Sequence, residues 1–359
     1  MNYSFKSIIP DASVWKLIEG SPESMCFFSA DWASYLGRMR RKLFVVEISS
    51  EGVARGYFVG VRSNLLFLRL VSAPSMGTGT YSQGLCMLDS YSQEERVNIY
   101  VKLVTWLINS KQADYVQVCD WRLRTNSKEW IDNWNNPWLD KEGVYYTRRD
   151  TFCLDTLRPL DELWANLNYK SCKYAINKAR KQGLYVKSVD CEADIPAFVE
   201  QHHQHVQDVL KRKKNTGLPC QHKEYMLALC QSLFPNRVLM LEVKGKDEFG
   251  QEQSMASAIF TLDKGGSSYF TSGSFKQYMH YCPNEILLWE AIVLLHNRGA
   301  GDLIFGGVAH YKKKFNPDYA VVPVMVFSRW KMLLGMRSKI KVLYEKAIHW
   351  AVRLNPFRK

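Results

Sequence analysis

One order of elements is written twice along these 359 residues. Residues 42–48, 53–61 and 65–71 are runs of Val, Leu, Ile and Phe, separated by short turns at 49–52 and 62–64. β-Branched and aromatic runs broken in this way read as a three-stranded antiparallel meander. A Gly-, Ser- and Pro-rich loop (72–84) follows, then an amphipathic helix over 94–109 and a strand at 115–119. Val97, Val101, Val104, Leu107 and Ile108 supply the helical spacing. The second half repeats the order, with strands at 237–243, 254–262 and 267–272 and turns at 244–253 and 263–266. A loop at 273–281 leads to Pro283, suited to a first helical turn, and a helix over 284–298. Gly299 stops that helix and a strand follows at 302–305. The helix is apolar nearly all round, so it is buried on several sides. Such repetition points to duplication, although the two copies are not visibly alike in residues. The alternative is two ordinary α/β segments in succession.

Between the copies, 159–167 reads as a short amphipathic helix and 170–182 as a second one. The second puts Cys172, Ala175, Ile176 and Ala179 on one face and Lys170, Lys173, Lys178, Arg180 and Lys181 on the other. Gly183 caps it before a strand at 184–189. A ridge of this kind holds a diphosphate or a nucleic-acid backbone, or it is simply a solvated face.

Composition bounds the rest. Hydrophobic residues at 47% and charged residues at 23% exclude a disordered chain, and the length allows two ordinary domains. The net charge of +13 favours an anionic partner: a phosphorylated small molecule, RNA or an acidic membrane surface. The heavy aromatic load, 13% of residues, fills cores and also lines clefts for sugars or flat ligands. Nine cysteines, odd in number and without CxxC spacing, read as reduced thiols. The N-terminus lacks a secretory pattern, and the longest apolar stretches (286–295 and 320–327) are too short to span a bilayer. The expectation is a cytoplasmic protein.

Several motifs, in order, resemble the Fem-type acyltransferases, the peptidoglycan bridge-forming and envelope-polysaccharide enzymes of the GNAT (acetyltransferase) superfamily. They begin with the helix pair from Leu163 through Asn168, Lys170, Cys172 and Lys173 to Gly183. Next come Tyr269-Phe270-Thr271-Ser272-Gly273-Ser274-Phe275 and Pro283-Asn284-Glu285-Ile286-Leu287-Leu288-Trp289. Asp302-Leu303-Ile304-Phe305-Gly306-Gly307 and Tyr311-Lys312-Lys313-Lys314-Phe315 complete the set. The match covers 160–317; in the first half Phe28-Ser29-Ala30-Asp31-Trp32 resembles the usual opening. Tyr311 stands where Phe is usual, and Asn316-Pro317 replaces a common Gly.

The resemblance implies an α/β (α+β) fold of two tandem GNAT-like domains, each a mixed, mainly antiparallel sheet flanked by helices. The domains fall at 1–155 and 156–328, with a basic segment at 329–359. It also implies an acyltransferase, moving an acyl or aminoacyl group to an amine or hydroxyl of a phosphorylated sugar, glycan or cell-envelope precursor. Acyl-CoA is the implied donor and aminoacyl-tRNA the alternative. The long helical arm of tRNA-using members is not apparent, since 194–214 is helical and basic at its end but too short. The coenzyme-A loop of ordinary acetyltransferases, Gly-rich with an arginine, is not written at 271–285 either.

Acyl transfer needs a positioned nucleophile, a route for its proton and donors for the oxyanion. By the family motif the phosphate-handling lysine falls on Lys312, in a basic cluster beside aromatics. It binds substrate phosphate or stabilises the oxyanion; the bland alternative is a basic surface loop. Glu285 can act as base and His280 as relay. Equally, the helix dipole favours a first-turn Glu, and a loop His commonly sits at the surface. Substrate contacts are expected from Lys170, Lys173, Tyr278, Tyr281, Tyr311 and Phe315. His202, His203 and His205 lack the i, i+4 spacing of a zinc pair and read as a solvated helix face, so no metal is expected.

The end of the chain, 329–359, interleaves Trp330, Leu333, Leu334, Ile340, Leu343, Trp350 and Phe357 with Lys and Arg. It reads as a basic helix at the inner face of the membrane, or as a helix packed on the domain. The partner expected is an anionic small molecule or lipid-linked glycan, with tRNA disfavoured. A different class of function also fits the charge: a non-catalytic cationic module for RNA or a membrane surface.

Overall fold

A single mixed sheet forms the spine of the protein, in a computed structural model that describes residues 2–65, 68–73, 84–214 and 222–330. In chain order its strands are β1 (Ser4–Ile8), β2 (Lys42–Ser50), β3 (Val53–Leu65), β4 (Leu68–Ala73), β5 (Leu85–Met87), β6 (Tyr115–Cys119) and β7 (Tyr145–Asp155). The second half adds β8 (Tyr185–Ser188), β9 (Val238–Lys246), β10 (Glu252–Thr261), β11 (Ser267–Ser274), β12 (Asp302–Ile304) and β13 (Asp318–Ser328). The helices are α1 (Ala12–Gly20), α2 (Ala30–Arg38), α3 (Gln93–Asn109), α4 (Lys128–Asn133) and α5 (Pro137–Lys141). They continue with α6 (Leu160–Asn166), α7 (Tyr174–Lys181), α8 (Ile195–Arg212), α9 (Lys223–Leu233) and α10 (Pro283–Asn297).

The strand order is β1-β2-β3-β4-β6-β13-β7-β12-β11-β10-β9-β8, with β5 paired to β3. Read from either end it is the same. Five strands of each copy flank the central pair β13–β7, and only β4–β6 and β11–β12 run parallel. The mixed, mainly antiparallel sheet read from the sequence is present, and the twice-written element order falls on its two halves. The centre holds something the repeat did not announce: β7 pairs with β12 of the second copy, while β13 pairs with β6 of the first. β13 is apolar from Ala320 to Val326 because, as a central strand, it is covered on both faces.

Local chemistry explains the element ends. Ser92 and Glu95 form a reciprocal capping box at the start of α3. Pro283 opens α10, and Gly299, at φ +62°, follows its last turn. The helix expected over 170–182 opens as a wide π turn, Tyr169–Lys173, before α7; Cys172, Ala175, Ile176 and Ala179 are buried as expected.

On one face of the sheet a continuous apolar cluster runs through both copies, taking in Trp32, Tyr57, Phe198, Met240, Ile259 and Val324. The other face is divided. Val97, Tyr100, Leu103 and Leu107 of α3 cover the first copy, whereas α6, α7 and the almost wholly apolar α10 cover the second. Arg237 ties the copies together, pairing with Glu19 (2.9 Å), Asp31 (3.4 Å) and Asp263 (3.2 Å).

The histidine expectation is corrected. His202 and His205 are fully buried between α8 and β10, with Nδ1 atoms 2.8 and 2.7 Å from the Ser257 Oγ; His203 is half-buried. Only a buried helix face meets the sheet, and this is that face. His205 Nε2 faces the Ser254 carbonyl at 3.2 Å and so donates to it. Its Nδ1 then accepts from Ser257, whose oxygen accepts from His202 Nδ1–H, a tautomer assigned from the network. Burial holds the two rings neutral, pulling His202 down to about 3 and His205 to about 4. Among the described residues no cluster of three His, Cys, Asp or Glu has metal-site geometry. The described cysteines are free thiols, mostly buried, with Cys191 exposed.

Candidate functional site

Strands β11 and β12 are hydrogen-bonded for two residues only, Ser267 to Leu303 and Ser268 to Ile304. Beyond them β11 runs on to Ser274 while the chain after β12 turns away through Gly306 (φ +68°) and Gly307 (φ +129°), conformations that favour glycine. The sheet therefore opens into a wedge. The corresponding strands of the first copy, β4 and β6, stay paired for four residues, through Ala73. The first copy also holds a buried ion cluster. Arg96 donates to both Glu23 oxygens (2.7 Å each), to Asp120 (3.1 Å) and to the Leu85 carbonyl (3.1 Å).

Lys312 stands in that opening. It lies on the tight turn His310–Phe315, which the core residue Phe315 (2% exposed) anchors and Asn316, at φ +50°, ends. Lys312 itself is 7% exposed, and its Nζ donates to the Phe305 carbonyl at 2.6 Å, just where β12 leaves β11. The ammonium lies 5.3 Å from the Tyr269 ring and 5.7 Å from the Tyr311 ring. Burial, with Lys213 adding repulsion, pulls its pKa down to about 8. At pH 7 roughly nine in ten molecules carry the charge, within easy reach of the neutral form.

Two phenols complete the wall. Burial raises Tyr269, against hydrogen bonds with Ser272 and Tyr311; burial also raises Tyr311 well above the ordinary phenol range, with Tyr269 adding to it. Both phenols sense the charge of Glu285. Glu285, in the first turn of α10, is paired with Lys314 at 2.9 Å, and the Lys314 carbonyl accepts from the Asn168 amide at 3.0 Å. Folding thus brings the 163–183 and 311–315 motifs into direct contact.

The other candidates spread outward. Lys170 is exposed on the turn Tyr169–Lys173. Lys173 is turned inward, its Nζ donating to the Ala165 carbonyl at 2.8 Å and so capping the end of α6. Tyr278 and Tyr281 are half-buried, 6.4 Å apart, beside the second core. His280 is exposed, its ring 4.0 Å from that of Tyr281 and tilted by 39°, with Nδ1 facing the Gln277 carbonyl at 2.9 Å.

Sequence reasoning did not reach Tyr269, Ser272, Arg212 or Lys213 as site residues. Arg212 donates to the Ser274 carbonyl (2.7 Å) from the end of α8. The basic end of this helix is visible in the sequence, but its place against β11 is tertiary. It can pack there because residue 273 is glycine: a Cβ would come within 2.4 Å of the His205 carbonyl carbon.

This fold, a thirteen-stranded sheet in palindromic order, is similar to those of several solved structures. One of them is FemX, at TM-score 0.66 and 12% identity, over 90% of this chain and 97% of that one. L-PGS from Bacillus licheniformis is similar at TM-score 0.52 and 11% identity, over 91% and 94% of the two chains. The C-terminal domain assigned to a lysylphosphatidylglycerol synthetase of Agrobacterium fabrum has TM-score 0.50 and 9% identity, over 83% and 87%. No family model matches the sequence, and no curated protein matches it. No helix among the described residues is long and apolar enough to cross a membrane.

Proposed function

We propose that the chain is an acyltransferase whose chemistry occupies the β11–β12 opening, acting on an amine or hydroxyl of a phosphorylated sugar, a lipid-linked glycan or another cell-envelope precursor. The observation that carries this reading is Lys312, a buried ammonium aimed at a backbone carbonyl in the parted sheet. A cation held there without water stabilises negative charge far better than one on the surface.

In the proposed step the acceptor's nitrogen or oxygen bonds to the acyl carbon, and the bond from that carbon to the donor's sulfur or oxygen breaks. Lys312 turns from Phe305 to the developing oxyanion. The β11 edge beyond Ser268, with no strand partner on the β12 side, offers backbone amides beside it. Glu285, whose charge reaches Tyr269 and Tyr311, is the proposed acceptor of the nucleophile's proton, with His280 its exit toward solvent. The donor's thiolate or alkoxide departs and takes up a proton from solvent, which balances the one released through Glu285. Tyr278, Tyr281 and Tyr311 line the approach; Phe315 serves by anchoring the loop.

The donor is an acyl thioester such as acyl-CoA or an aminoacyl ester such as aminoacyl-tRNA. A diphosphate does not fit the α10 N-terminus, because Glu285 already sits there. Lys170, Lys178 and Lys181 suit it better. The neighbour assigned to lysylphosphatidylglycerol synthesis supports the aminoacyl version by its name. We take 1–155 and 156–328 as the tandem units, which exchange β7 and β13. The segment 329–359 is proposed to rest on the inner face of the membrane from the cytoplasmic side; beyond Trp330 it lies outside the described residues.

A second reading, a non-catalytic RNA-binding module, draws on Tyr169 (78% exposed) and Tyr174 (67% exposed) beside the lysine ridge. Acyl transfer by the wild type and by Lys312→Ala separates the two. The expected loss is about 10²-fold or more in kcat. Unchanged turnover removes Lys312 from the mechanism, and RNA binding with a steep salt slope but no transfer by the wild type favours the module.

A further inference from the structure

A second cationic site lies in the first copy, where α2 ends and β2 begins. Arg40, Arg41, Lys42 and Arg62, with Ser63 and Asn64, line an open hollow of about 460 Å³. Among the described residues no carboxylate lines it. Several arginines elsewhere in the fold take acidic partners, as Arg69 does with Asp114, Arg124 with Asp302 and Arg180 with Glu290.

The cations are held there at a cost. Lys42 and Arg62 are directly opposite each other in the β2–β3 ladder, and like charges so placed destabilise a sheet. Arg40 takes the left-handed position (φ +53°) that closes α2, its amide donating to the Gly37 carbonyl at 3.0 Å. Glycine is the usual residue at that point, and a Cβ there is strained. Arg62 is held in place by a neutral partner, Gln112 Oε1 at 2.6 Å, and lies 4.1 Å above the Phe44 ring. Both contacts leave its positive charge uncompensated. A hollow lined by cations, with the Arg62 guanidinium held in place, matches a phosphate in charge, and a guanidinium fork matches its geometry.

We propose that this hollow binds a phosphate or diphosphate group, carried by a soluble metabolite or by a lipid headgroup. The site is separate from the β11–β12 opening and does not depend on the transferase reading. Ser63 and Asn64, both exposed, supply neutral hydrogen bonds for the group that bears the phosphate.

The test uses the full chain and two probes: inorganic pyrophosphate by calorimetry, and vesicles of phosphatidylglycerol against phosphatidylcholine by co-sedimentation. Arg40→Gln/Lys42→Gln, at two exposed positions, is the principal variant, with Arg62→Gln as a second and circular dichroism as the folding control. The expected result is salt-sensitive binding weakened about tenfold or more by either variant. Lys312→Ala retains that binding, and Arg40→Gln/Lys42→Gln retains transfer to a soluble acceptor, so the two proposals fail independently. Pyrophosphate binding assigns a soluble ligand; binding to phosphatidylglycerol vesicles alone assigns a headgroup. No binding to either probe, binding indifferent to the variants, or a response to an RNA homopolymer alone overturns the proposal.

Discussion

Replacing Lys312 by methionine tests whether the lysine is as constrained as its surroundings imply. A lysine whose folded pKa lies near 8, against 10.5 as the ordinary value, is charged in both folded and unfolded chains below pH 8. There it destabilises the fold by the full penalty of burying the ammonium. Above pH 8 the folded protein releases the proton first, the unfolded chain holds more protons, and stability rises with pH. Each pH unit in this window is worth about 1.4 kcal/mol, so wild type should gain about 2 kcal/mol relative to Lys312→Met between pH 7 and pH 9.5. Methionine keeps the stem's packing but loses the bond to the Phe305 carbonyl, worth about 1–3 kcal/mol. At pH 7 the variant is therefore level with wild type or more stable, while transfer is lost, as expected where a residue is kept for activity. Urea unfolding of both proteins at both pH values gives the double difference directly. Parallel pH dependences would show that Lys312 titrates normally and refute the picture of a dry cation in the opening.

Acid should weaken the protein through the buried histidines. With the His202 pKa down at about 3, the unfolded chain takes up its proton first as pH falls below 6.5, and roughly 2 kcal/mol is lost by pH 4.5. In His202→Gln the fall in melting temperature over that range should flatten; an unaltered slope argues against a neutral buried ring. Gly273→Ala forces α8 away from β11 and should destabilise by about 1–3 kcal/mol while slowing transfer, since α8 carries Arg212 and Lys213. Wild-type kinetics in that variant would detach α8 from the site. Arg96→Met removes the buried counter-charge of Glu23 and Asp120 in the first copy and should lose about 3–5 kcal/mol. If the variant folds at low temperature, its kcat should match wild type, because the proposed chemistry lies in the second copy; a lost kcat at full folding contradicts that assignment.

Much of the scaffold was legible before any coordinates. Both meanders, α3, α10 and β6 follow from apolar runs, helical spacing and stop residues, signals that act within a few turns of chain. Lys312 was legible as part of a motif, as were its neighbours Tyr311 and Phe315. Its burial, its bond to the Phe305 carbonyl and the nearness of Tyr269 and Lys213 were not. His202 and His205 failed for the same reason. A polar residue on a helix reads as solvated until the helix face opposite Ser257 is known.

The sequence by itself determined the twice-written element order, the buried character of α10 and the basic loop at Lys312–Lys314, because short-range periodicity and turn chemistry act on neighbouring residues. Tertiary structure alone decided that β7 and β13 cross between the copies, joining strands such as β6 and β13 that are far apart in the chain. It also decided how far each parallel pair runs. Among the described residues β4 and β6 pair over four residues, whereas β11 and β12 pair over two and part beside a lysine. The physical reason is that pairing length and burial depend on which distant surfaces meet, and no local pattern records that meeting.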